Sequence, residues 1–300
     1  MTVLKRSLFL LTIICIATGA AYFSSSGAFR LIEISSAEAL DIKQTETQDP
    51  AIREGFIPHK AIYVIDLVSK KSGAQIINVD GQMFYEWESG CEAWNSNHRF
   101  NVLYEYADAP PLKVTSDYSL YEPFDGGALN FSTQRKRDGA LFEQMRGHAI
   151  LDENGGEAVY NIPEDLKFEL PAGTVFPMRH SLEVLKQIRA GKNFYNAVIF
   201  DGSDEEGPVE INAFMGERVQ APQLGENSGR IEKALLDSPA RKIRLAFFPL
   251  SQKQPEADYE MDMVFHDNGV ISDMVVEYHD FSVRQKLIAL EKNESGCFEK

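Results

Sequence analysis

Gln82-Met83-Phe84-Tyr85-Glu86-Trp87 decides the class of the fold. Met83, Tyr85 and Trp87 fall on one side of an extended chain, and Gln82, Phe84 and Glu86 on the other, the period of two that a strand imposes. The pattern recurs upstream, where Ala61, Tyr63, Ile65 and Leu67 share a face. It recurs downstream at Phe100, Val102, Tyr104 and Tyr106, and again at Val114, Ser116, Tyr118 and Leu120. Aromatic and β-branched residues suit a pleated, half-buried surface, so these runs read as strands.

Asp125-Gly126-Gly127, Asp138-Gly139, Asn154-Gly155-Gly156 and Asp267-Asn268-Gly269 supply the positive-φ residues that tight hairpins need. No long helical pattern separates the strands, which argues for a mainly antiparallel, all-β sandwich, barrel or curled sheet and against a parallel doubly wound one. One segment departs from this. After Pro171 and Pro177, Ser181 is expected to cap a short helix over 181–190, with Leu182, Leu185 and Ile188 on neighbouring turns and Gly191 as its stop. That helix reads either as a core element or as a mobile lid. Strands resume at 196–200 and 209–215 around an acidic segment, 201–207, expected to be an exposed turn. Residues 220–238 read as a polar connection, and 241–250, 259–266 and 270–279 as strands. Residues 282–292 read as a last strand, although Val283, Leu287 and Leu290 also suit a helix.

Working outward to the termini, Lys5 and Arg6 precede an apolar run from Leu8 to Phe23, and Ala37-Glu38-Ala39 offers a small-residue cleavage site. Residues 1–39 therefore read as a signal peptide, 40–57 as a flexible mature N-terminus and 58–300 as one folded domain. The competing reading is an uncleaved anchor, for which the run is short of the roughly 20 residues a spanning helix needs. The isoleucines before Cys15 disfavour lipidation there. With cleavage after Ala39 the mature protein is periplasmic and is not an integral membrane protein. The chain carries 30 basic and 45 acidic residues, a net charge of -15. Nucleic acid is a poor partner for such a surface. Once Cys15 is removed, Cys91 and Cys297 remain, and two cysteines in an oxidising compartment are expected to pair. That loop is worth at most about 5 kcal/mol by chain entropy. The rival role for Cys91 is a nucleophile assisted by His98.

Signatures of chemistry are sparse. The six histidines, His59, His98, His148, His180, His266 and His279, show no metal-hydrolase spacing. The acidic segment 201–206 lacks the ligand order of a calcium loop, and no nucleophile elbow, phosphate loop or dinucleotide fingerprint occurs. No cofactor is expected. Asn130-Phe131-Ser132 and Asn293-Glu294-Ser295 match a glycosylation triplet that occurs often by chance and carries little weight if the source is bacterial. Phe84, Trp87, Phe100, Tyr104, Phe131, Phe142, Met261 and Phe265 are candidates for the core or for the lining of an apolar groove.

Several segments together resemble the EipB-like periplasmic β-spiral proteins of α-proteobacteria. They are His59-Lys60-Ala61-Ile62-Tyr63, Gly81 through Trp87 ahead of Cys91, Leu170-Pro171-Ala172-Gly173-Thr174-Val175-Phe176-Pro177 ahead of His180, Phe200-Asp201-Gly202-Ser203-Asp204, and Cys297. The resemblance covers 58–300 and rests on the ordered combination. It implies a long antiparallel sheet coiled into a barrel-like spiral, closed by a disulfide at the positions of Cys91 and Cys297, and a non-enzymatic role in cell-envelope integrity. It also implies similarity to carrier and stress-sensor domains that shelter an acyl chain or peptide, so that a lipid, a lipoprotein or another periplasmic protein becomes the expected partner. The alternative from a different class is an envelope-directed hydrolase using carboxylates or histidines gathered by the fold.

Overall fold

The computed structural model describes residues 55–220, 230–251 and 255–294. The alternating runs become strands whose burial alternates in the same register. In β1 (His59–Lys70), His59, Ala61, Tyr63 and Ile65 are buried while the residues between them are partly open. β2 (Ile76–Ser89), β3 (Ala93–Tyr106), β4 (Leu112–Pro123), β5 (Ala128–Arg137), β6 (Ala140–Asp152), β7 (Gly155–Ile162) and β8 (Lys167–Leu170) follow as a meander. A helix, α1 (Pro177–Arg189), then leads into a second meander of β9 (Phe194–Ile199), β10 (Val209–Val219), β11 (Ala240–Pro249), β12 (Tyr259–His266), β13 (Ile271–Glu277) and β14 (Phe281–Lys292). A 3-10 turn, Lys233–Leu236, precedes β11 and buries Leu235 and Leu236. The acidic-glycine turns sit where expected: Gly126, Asp138, Gly139, Gly155 and Gly269 all have positive φ.

The pairings between these strands are all antiparallel and make one 14-stranded sheet in the order β8 to β1, then β14 to β9. The two meanders meet where β1 pairs with β14, from His59 opposite Lys292 to Lys70 opposite Phe281. The last segment is thus a strand, not a helix. The sheet does not close, since β8 and β9 are its edges. It curls enough for Val175, beyond β8, to bridge Ile199 of β9. Inward residues of both meanders and α1 form one core, which includes Trp87, Tyr104, Leu185, Met263 and Val283. A second cluster, including Leu129, Phe131, Tyr160, Phe176 and Phe200, fills the space between β4–β8 and the chain on either side of α1. Phe56, Trp87, Trp94 and Phe124 meet in series, tilted or edge to face, at 5.4, 5.4 and 4.6 Å between centroids, contacts worth about 1 kcal/mol each beyond burial.

The helix corrects the sequence reading. It starts at Pro177, whose missing N–H is no loss at the first position. Ser181 lies inside it and donates its hydroxyl to the Pro177 carbonyl at 3.1 Å, while Phe176 at the N-cap makes no side-chain cap. The cap comes from β4: the fully buried Glu122 carboxylate accepts the Met178 and Arg179 N–H groups, each at 2.8 Å. Burial pushes that carboxyl up to about 7, against the pull of the two N–H groups and Arg179. Met178, Leu182, Val184, Leu185 and Ile188 are buried, so α1 is a core element and not a solvent-facing lid.

Glu122→Ala is expected to lower the unfolding free energy by about 3 kcal/mol, because two buried N–H groups lose their acceptor, with Glu122→Gln in between. Urea denaturation of the two variants checks this, and an unchanged midpoint for Glu122→Ala would refute the capping role.

Candidate functional site

The aromatic candidates sort themselves by burial. Trp87, Tyr104, Phe131 and Phe265 are buried, while Phe100, Phe142 and Met261 are half-buried and packed on the core. Phe84 lies on the opposite face of β2 with the Arg99 guanidinium 5.7 Å from its ring centroid. Seven of the eight candidates thus build the core, whereas Phe84 lines a surface groove of about 610 Å³ together with Ile62, Ile231 and Leu290.

Four of the six histidines, His59, His98, His180 and His266, are likewise structural. Tyr85 faces His98 across β2 and β3, His98 faces Tyr118 across β3 and β4, and the rings meet edge to face at 4.7 and 5.5 Å. His59 packs on Trp87, whose indole N–H donates to His59 Nδ1 at 3.0 Å. Burial lowers His59, His98 and His180 to about 4, which keeps them neutral. His266 bonds Ser272 Oγ at 2.9 Å and the Ser238 carbonyl at 3.0 Å. His148 and His279 are exposed. Among the described residues no three His, Cys, Asp or Glu side chains are placed to hold a metal ion.

The acidic segment 201–207 is not the exposed turn that its composition suggests. It enters the curl of the sheet and docks on the inner face of the first meander. Tyr118 donates its hydroxyl to the Asp201 carbonyl at 2.8 Å, Tyr160 to the Asp204 carbonyl at 2.6 Å, and Arg135 Nη2 to the Ser203 carbonyl at 2.9 Å. Arg135, itself buried and paired with Glu143, thus couples β5, β6 and the loop. Gly202 has φ +69°, and a Cβ there would overlap the Phe131 ring. The composition did not betray this docking because its partners, Tyr118, Arg135 and Tyr160, lie far away in sequence on three strands.

Two of the loop's carboxylates, Asp201 and Asp204, are committed to its own backbone. Asp201 Oδ1 accepts Ser203 N–H at 2.8 Å and Asp204 Oδ1 accepts Glu206 N–H at 2.7 Å, the short-range turns that Asp forms readily. Burial raises both carboxyls, Asp204 to about 7 with the Asp201 charge adding to the push. The space left beneath the loop, between Asp204, Ile211, Phe247 and Tyr259, is about 70 Å³, below the 300–1,000 Å³ typical of ligand pockets. An acyl chain does not fit there with the loop in place. Cys91 lies exposed in the turn between β2 and β3. Cys15 and Cys297 lie outside the described residues, as do the proposed signal peptide, its cleavage site and the flexible segment up to residue 54.

Comparison with known proteins gives a consistent set. The model of the EipB-like family matches residues 50–294. The cell envelope integrity protein EipB of Brucella abortus (strain 2308) is 28% identical over 251 residues, 81% of this chain and 88% of that protein. The crystal structure of a β-barrel-like protein of domain of unknown function DUF1849 from Brucella abortus superposes with a TM-score of 0.74 at 26% identity, covering 80% of this chain and 99% of that one. The mainly antiparallel β architecture of the described residues agrees with that neighbour. No helix among the described residues is long and apolar enough to cross a membrane.

Gly202→Ala is expected to displace the loop from Phe131 and cost at least about 2 kcal/mol, read as a lower urea midpoint and faster amide exchange across 201–207. A folded carboxyl raised above its unfolded value stabilises most below the unfolded pKa and loses that contribution as pH rises through the folded one. Asp204→Asn should therefore gain on the wild type as pH rises from about 4 to 7. A wild-type-minus-variant difference that stays flat over this range would refute the buried carboxyl.

Proposed function

Since the chain belongs to the EipB-like family, we propose that it is exported to the periplasm and sustains the cell envelope by binding, without catalysis. The cell envelope integrity protein of Brucella supports the role. The observation that carries the mode of action is the docked loop: the acidic groups with raised carboxyls that a hydrolase would use hold the loop's own turns and face a space of about 70 Å³. The same filling favours a protein or lipoprotein engaged from outside over a free lipid chain sheltered within. Family members related by fold alone carry many functions, so the site and not the sheet supports this choice.

The proposal includes cleavage after Ala39 and a disulfide between Cys91 and Cys297. What supports the bridge is the path of the last described residues. Asn293 N–H donates to the Pro58 carbonyl at 2.8 Å, and Asn293 Nδ2 donates to the Trp87 carbonyl at 3.2 Å. The chain thus runs beside the end of β2, four residues ahead of Cys91 on one side and four short of Cys297 on the other. Such a bridge would tie both ends of the domain to the β1–β14 pairing.

Mass analysis under non-reducing conditions of protein taken from the periplasm is expected to show a chain starting at Leu40 with Cys91 linked to Cys297. A chain retaining residues 1–39 with free thiols would overturn export and pairing together. A strain lacking the gene is expected to become sensitive to detergent and to regain resistance with the full chain but not with one lacking residues 1–39. Equal detergent resistance with and without the gene would overturn the envelope role.

A further inference from the structure

The inner face is occupied, but the outer face of the first meander carries a groove of about 760 Å³ between β2 and β7. Its lining is ordered by strand register. Glu88, Asn95, Tyr121, Asn130 and His148 stand opposite one another in a row across β2 to β6. One pleat along, Asn97, Ser119, Ser132, Arg146 and Ile162 form a parallel row across β3 to β7. With strands about 4.8 Å apart, the two rows together span roughly 24 Å.

Composition makes this face unusual. Asparagine is disfavoured within strands, and a solvent-facing position asks only for polarity, which Thr supplies at no cost in propensity and Lys or Glu at a smaller one. Here Asn95, Asn97 and Asn130 sit inside strands on one face, and Asn161 at the end of β7 lines the same groove. A conflict between local propensity and position marks a functional demand. Ser119 donates to Asn97 Oδ1 at 2.8 Å, whereas the amides of Asn95, Asn130 and Asn161 make no hydrogen bond to another described residue. Each therefore presents two donors and an acceptor to the groove. Tyr121, 36% exposed, offers a phenol ring on the exposed part of the lining, beside the exposed imidazole of His148.

Uncharged amides and hydroxyls match ligand groups that both donate and accept, and a ring flanked by them suits an apolar C–H face. The backbone groups of β3 to β6 are paired on both sides, so an added peptide strand has no edge to join here. Phosphate-rich ligands find a single guanidinium, Arg146, in a chain of net charge -15. We propose that this groove binds a neutral polysaccharide strand, several pyranose rings laid across β2 to β7 with one ring on Tyr121. Glu88 is the only carboxylate among its lining residues, and glycoside hydrolysis ordinarily needs two, so the groove holds the strand without cutting it. This deepens the envelope reading, on which it rests for the source of the glycan.

Calorimetric titration of the chain purified from the envelope, with the hexamer of N-acetylglucosamine and with maltohexaose, tests the assignment. At least one is expected to bind, and Tyr121→Ala and Asn130→Asp are expected to weaken that binding tenfold or more at unchanged melting temperature. Phe214→Ser, on β10, serves as the control that retains affinity. Preference for the first sugar assigns the groove to wall-type amino-sugar chains, and preference for the second to glucans. Binding of neither, or equal binding by Tyr121→Ala and Asn130→Asp, overturns the proposal. If both variants restore detergent resistance while no glycan binds, the groove assignment falls and the envelope reading stands. If the wild-type chain fails to restore resistance, the envelope reading falls while a measured glycan affinity survives.

Discussion

The pairing of β1 with β14 is the constraint on which the rest of the molecule depends. It joins residues from opposite ends of the domain, as in the 2.7 Å hydrogen bond between the hydroxyls of Ser69 and Ser282, 213 residues apart. Closing a loop of that length costs roughly 5 kcal/mol in chain entropy. The cost is offset by the ladder from His59 to Lys70, which runs the length of β1 with two register shifts, and by the burial of Tyr63, Ile65, Val283 and Leu290 on the inner face. Without this seam there are two separate meanders, each with a second open edge and half a core. With it, one sheet curls until β9 and the chain beyond β8 come together.

The curl creates an interior, and one described segment of the chain enters it. The segment from Val175 to Gly207 threads back through, placing α1 on the main core and the acidic loop on β4, β5 and β7. Two buried polar devices make this possible. Glu122 supplies the helix with the acceptor that its own N-cap lacks, and Arg135 with Tyr118 and Tyr160 satisfies three loop carbonyls. Buried carbonyls and N–H groups left without such partners would each cost 1–3 kcal/mol, more than the marginal stability of most domains tolerates in number. With the acidic loop docked inside, the question of binding moves outward, to a face whose amide and hydroxyl rows are set by register and not by proximity in sequence.

Strands were legible because a period of two is a local property. Met83, Tyr85 and Trp87 alternate whatever they pack against, and Asp138-Gly139 or Asp267-Asn268-Gly269 turn the chain by their own φ preferences. The last strand was the harder case: Val283, Leu287 and Leu290 fit either period, and only the partner β1 decides. The helix was legible as an apolar stripe, but its start was misplaced from Pro177 to Ser181. A cap donated by Glu122 leaves no mark near the helix, and Ser181 is a good capping residue used instead within the first turns. The acidic loop was misread as exposed for the same reason, since charged composition is a local cue and its partners are remote.

By itself the amino-acid sequence determined the period, the turns, the all-β class and, through segments such as Gly81 to Trp87 and Leu170 to Pro177, the family. These depend on backbone preferences and on short ordered motifs that a linear chain displays. Tertiary structure alone decided that β1 seals against β14, that the acidic loop plugs the curl, and that Asn95, Tyr121 and Asn130 stand in one row. Each of these follows from pairing between distant strands, where register and not sequence distance sets which side chains meet.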